Sequence, residues 1–142
     1  MTYKDPSQQL LKAYQDILKG NIIYSGETIT VGTRIPRKKT KYVYLYIDAT
    51  NNYSTGDKAL YSISVALQII SIQEISEGDE TVVNSILDQV LQKTGDPEQI
   101  IMADFICLTS TFGGMDPISP EMSESNYIIT RKLTMSHFVE QK

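Results

Sequence analysis

Catalysis or metal binding would have to come from very few residues in this chain. It has one histidine, His137, and one cysteine, Cys107, among 142 residues with nine tyrosines and no tryptophan. As a general base, His137 would need a positioned nucleophile and a carboxylate to orient it. Nothing beside it in the sequence identifies either, so a packing or contact role near a strand end is expected. Cys107 falls in the alternating run Phe105, Cys107, Thr109 and reads as a small core residue. A reactive thiolate would need a positive, partly exposed setting, of which the sequence gives no sign. Glu74, Glu77, Asp79 and Glu80 crowd into seven positions and carry oxygens suited to a divalent cation. They lack the alternating spacing and central glycine of a calcium loop, and read instead as the acidic start of a helix. Gly26 to Thr33 (GETITVGT) has no Lys before its final Thr and misses the phosphate-loop pattern. Gly113-Gly114 has no helix signal after it and reads as a flexible loop. The expectation is a protein that is not an enzyme and holds no metal or cofactor.

Charge is more informative. Arg34, Arg37, Lys38, Lys39 and Lys41 fall in the eight residues RIPRKKTK, which carry +5, on a chain whose net charge is −4. A concentrated positive loop on an acidic body addresses something anionic: nucleic acid, an acidic partner, or the acidic face of another copy. The plainer reading is a solvated hairpin tip whose basic residues and Pro36 discourage edge pairing. Phosphate neutralisation would make nucleic-acid binding fall steeply with salt. No aromatic interleaves the basic residues, so base stacking is not indicated.

The elements that position these groups can be read from periodicity. Asp5-Pro6-Ser7-Gln8 is a helix start, with a capping Asp and a Pro in the first turn. Leu10, Leu11, Tyr14, Ile17 and Leu18 then form a 3.6-residue stripe ending at Gly20. Asn21 to Tyr24 is a short apolar stretch, Ser25-Gly26-Glu27 a turn, and Thr28 to Thr33 a strand. Lys41 to Asp48 puts Val43, Leu45 and Ile47 on a core face and Tyr42, Tyr44 and Tyr46 on the other. Thr50 to Lys58 reads as a polar loop. Ala59 to Gln73 alternates as a long half-buried strand, with a phase slip at Ile69 to Ile72 that predicts a bulge or strand end. After the acidic segment, Val82, Val83, Ile86, Leu87, Val90 and Leu91 make a second helical stripe, closed by Gly95 and Pro97. Ile100 to Phe112 reads as a strand, Gly113 to Ser125 as a long irregular connection, and Asn126 to Val139 as a final strand.

Runs of strands around two helices indicate a single α+β domain over 1–142, a mostly antiparallel sheet with both helices packed on one face. No apolar run approaches the roughly 20 residues of a bilayer-spanning helix, and Met1 opens no secretory leader. One cysteine excludes an internal disulfide, and synthesis in a cytoplasm is expected.

The order of these phrases resembles a known family. PSQQLLKAYQDILKG, NIIYSG, a Pro-containing loop, KYVYLYIDAT, NNYSTGDK, LYSISVALQI and ETVVNSILDQVL follow the layout of tail-terminator and tail-completion (head–tail joining) proteins of tailed bacteriophages. Tyr42 and Val43 fit a family phrase in which Lys41 stands where Pro is usual, so the basic run is a departure. The likeness covers roughly residues 6 to 112. It implies a non-catalytic structural subunit of the virion, placed at the head–tail junction or tail end. It further implies a homo-oligomeric ring, a hexamer favoured, that contacts other neck or tail proteins and encloses a channel through which DNA passes. The alternative reading is a nucleic-acid-binding accessory protein using loop 34–41. A heterologous ring contact needs two complementary patches on one subunit. Residues Arg34, Arg37, Lys38, Lys39 and Lys41 against Glu74, Glu77, Asp79 and Glu80 are the expected pair.

Overall fold

In a computed structural model, which describes residues 2–74, 80–122 and 126–142, the first helix α1 runs Ser7–Leu18. Its start follows the capping signal: the Ser7 N–H donates to the Asp5 carboxylate at 2.9 Å, satisfying one of the unpaired donors of the first turn. Leu10, Leu11, Tyr14 and Leu18 of the apolar stripe are buried. Helix α2 spans Thr81–Thr94 and buries Val82, Val83, Ile86, Leu87 and Val90. Of its expected acidic start, Glu80 immediately precedes the helix, while Glu77 and Asp79 lie outside the described residues.

A small hairpin, β1 (Ile23–Tyr24) and β2 (Glu27–Thr28), follows α1. Its two central residues, Ser25 (φ 51°) and Gly26 (φ 79°), are both left-handed, as the two-residue turn that matches strand twist requires. The main sheet has five strands in the order β3–β4–β5–β7–β6: β3 (Thr30–Gly32), β4 (Lys41–Asn52), β5 (Leu60–Glu74), β7 (Asn126–Gln141) and β6 (Phe105–Met122). Every pairing is antiparallel except β3 with β4. Both helices pack on one face and touch each other. The fold is therefore the expected α+β architecture.

The core lies between the helices and the odd-numbered residues of the long strands. Val43 and Leu45, then Ile63, Val65, Leu67 and Ile69, then Leu133 and Met135 are each at most 1% exposed. The opposite face carries the tyrosine stripe. There Tyr42 and its register partner Ile70 are nearly buried and Ala66 fully so. Tyr44 and Tyr46 stack at 5.3 Å between ring centroids, and Gln68 Nε2 donates to the Tyr46 hydroxyl at 3.2 Å.

Several boundaries differ from the sequence reading. Thr28 to Thr33 is not one strand: it breaks at Ile29, whose N–H bonds the Ile22 carbonyl at 2.8 Å, so β2 and β3 join different sheets. The expected bulge at Ile69 to Ile72 is absent, because β5 keeps unbroken register with β7 from Leu60 to Glu74. Ser71 simply occupies a buried core-side position, and Ile70 turns to the tyrosine face. A bulge falls instead on β4 at Asp48, between Ile47 and Ala49, and β4 runs on into the expected polar loop as far as Asn52. The predicted irregular connection from Gly113 is largely strand: β6 continues to Met122 against β7, with register shifts near Leu108, at Gly113 and between Ile118 and Glu121. Gly113 suits its shift, since a Cβ there would lie 3.1 Å from the Thr134 carbonyl oxygen, closer than ordinary contact.

Candidate functional site

The basic segment is not a hairpin tip. Because β3 and β4 are parallel, residues 33–40 must run back along the sheet to restart beside the strand they left. This is short for a parallel connection, and it suffices because β3 is three residues long, about 10 Å of return path. Arg34, Arg37, Lys38 and Lys39 are all exposed, as is Ile35 at 65%. Lys38 sits at φ 58°, a left-handed turn position that most side chains avoid. Among the described residues no ion pair engages these four cations, whereas Lys41, at the start of β4, reaches Glu27 at 3.7 Å.

Of the acidic half of the expected pair, Glu74 and Glu80 are described, while Glu77 and Asp79 lie outside the described residues. Lys41 is in register with Ser71, and the Ile72 N–H donates to the Thr40 carbonyl at 2.7 Å. The basic connection therefore re-enters the sheet beside the end of β5, one strand from exposed Glu74. Glu80 is held within the chain by Arg131 at 2.8 Å. Of the described members of the expected pair, the basic connection and Glu74 thus lie towards the same end of the sheet.

The far edge of the sheet carries what the sequence reading missed. Strand β6 is an outer strand, and six of its large apolar side chains are at least 36% exposed: Ile106, Leu108, Phe112, Met115, Ile118 and Met122. Asp116 and Glu121 are exposed on the same strand, and Phe105–Met122 contains no Lys or Arg. The two glycines and two prolines of this stretch concealed it as a strand. A run this apolar with so little charge was the available signal.

A second missed feature surrounds His137. Its Nε2 bonds the Tyr14 hydroxyl of α1, and its Nδ1 bonds Ser110 Oγ at 2.9 Å, with Cys107 Sγ 3.7 Å away. The Cys107 thiol donates to the Thr109 carbonyl at 3.3 Å. Cys107 and Ser110 stand three apart and would face opposite ways on a regular strand. The surplus residue between Cys107 and Thr109 turns both towards His137. Burial pushes the imidazole down to about 4 and raises the Cys107 thiol and the Tyr14 phenol above their ordinary values. Neutral imidazole has one donor and one acceptor nitrogen, and two hydroxyls can satisfy both in either tautomer. The histidine is 1% exposed with both nitrogens engaged, so this cluster bonds α1 to β6 and β7 through the core.

Among the described residues no three His, Cys, Asp or Glu side chains gather as a cation site. Nor is any helix among them long and apolar enough to cross a membrane. One depression, about 380 Å³, is an open hollow between the N-terminal segment and β4–β5, lined by Tyr3, Lys4, Asp5, Pro6, Thr50 and Tyr61 among others. Searches of protein-family models and of curated proteins find no match to this sequence.

Proposed function

We propose that this chain is a non-catalytic assembly subunit: a structural virion protein of a tailed phage that forms a ring at the head–tail junction or tail end. The carrying observation is outer strand β6, which gathers six of the chain's exposed large apolar side chains into one border of the sheet. Such concentrations on a folded surface mark protein contacts. The element order that resembles tail-completion proteins supports the virion placement. The sealed setting of His137 supports a structural role for the one histidine. A second reading, a nucleic-acid-binding accessory protein, draws on the four exposed cations of residues 34–39 that no ion pair occupies among the described residues.

Light scattering after size-exclusion chromatography, run beside a DNA titration, separates the two. The assembly reading expects a discrete oligomer with weak or no DNA affinity. A monomer that binds DNA with a steep salt slope would sink it and favour the second reading.

A further inference from the structure

We infer that the occupant of the β6 edge is the basic β3–β4 connection of a second copy of this chain, joined head to tail. The inference rests on the assembly-subunit reading and supplies its interface. Three observations carry it.

First, the two patches lie on opposite borders of one sheet, β3–β4 at one side and β6 at the other. Second, they lie at the same height. Gly32, Tyr44, Gln68, Lys132 and Asp116 form a single cross-strand row from border to border. The chain leaves β3 just after Gly32 and re-enters at Lys41, whose row through Ser71 and Ile129 reaches β6 between Ile118 and Glu121. The basic connection thus spans the rows that end at Asp116 to Glu121. Third, the patches are complementary in both chemistries. Asp116, Ile118 and Glu121 are in register with Lys132, Thr130 and Ile128, which places all three on the face away from the helices. This acidic strip with an apolar centre matches a basic loop with exposed Ile35 between Arg34 and Arg37.

Strand directions agree with such a junction, because β3 and β6 run antiparallel within the sheet and would do so across it. The register shifts and the prolines at 117 and 120 break the outer hydrogen-bonding row, so side chains rather than a long ladder make the contact. A repeated head-to-tail contact gives a ring if its rotation closes and a filament if it does not. Two copies joined by β6 alone would bring Asp116 and Glu121 of each against like charges, which disfavours that arrangement.

The test is a charge swap between two variants, Asp116→Lys/Glu121→Lys and Arg34→Glu/Arg37→Glu/Lys38→Glu/Lys39→Glu, with oligomeric state followed by sedimentation. Each variant alone should need at least about tenfold more protein to assemble. Mixed in equal amounts they should recover the wild-type oligomer as an alternating array, since each then offers the other both complementary borders. That recovery also shows that both variants fold. Wild-type-like assembly of each variant alone overturns this interface while leaving the assembly reading standing. A wild-type chain that stays monomeric at every concentration overturns both. Loss of DNA binding in the loop variant with unchanged assembly would assign the loop to nucleic acid and overturn the inference.

Discussion

At His137 the fold holds a titratable group where its charged form is disfavoured, and the consequence can be measured. Burial lowers its folded-state value to about 4, against an ordinary value of 6.5. Between those limits the unfolded chain binds the proton and the folded chain does not, so stability rises with pH. The contribution is fully present above about pH 6.5 and is lost as pH falls to 4, worth about 3 kcal/mol over that window. Asp5 and Asp104, whose carboxyls are held below their usual range by hydrogen bonds, act in the same direction only below about pH 4. Urea unfolding at pH 7 and pH 4.5 should therefore differ in the wild type. His137→Gln, which keeps polar atoms near Tyr14 and Ser110 but cannot titrate, should flatten that difference. An equal pH slope in the variant would remove His137 as the cause.

The elements themselves divide into those local pattern determined and those that pairing determined. Helix α1 was legible because Leu10, Leu11, Tyr14 and Leu18 recur at the helical period, and all four are buried. Strand β5 was legible because Tyr61 to Ile69 alternate without interruption. What stayed hidden depends on a partner strand far away in sequence. The parallel placement of β3 leaves no mark in Thr30–Gly32, and β6 survives its glycines and prolines because β7 pairs with it along its length. The Cys107–Ser110–His137 grouping was illegible for the same reason, since period-two reading assumes no surplus residue. That surplus gives a second prediction. Thr109 follows Cys107 directly in pairing order, against Phe138 and Val139. Deleting Leu108, 42% exposed, should leave every later pairing in place. The deletion variant should fold, lose no more than about 2 kcal/mol, and keep the pH slope due to His137. Failure to fold, or loss of that slope, would show that the extra residue does more than absorb a register shift.

For the whole molecule, the decisive property is polarity across the sheet rather than net charge. The chain is acidic overall, at −4, yet Arg34, Arg37, Lys38 and Lys39, which have no ion pair among the described residues, sit at one border, and exposed Asp116 and Glu121 lie at the other. A body of this kind meets its own copies in one favoured orientation, and screening should act on that orientation specifically. Exposed charges cease to feel each other beyond about 10 Å at 0.1 M salt and about 3 Å at 1 M. Raising sodium chloride over that range should weaken self-association while leaving thermal unfolding of the monomer nearly unchanged, because the core is apolar and its surface ion pairs contribute little. Ammonium sulfate should act in the opposite sense, since it strengthens burial of Ile35 and Ile118 even as it screens their charged neighbours. Sedimentation across both salts checks the two trends together. Assembly that is indifferent to sodium chloride but promoted by sulfate would mean that the apolar side chains of β6 hold the copies together without help from the charged borders.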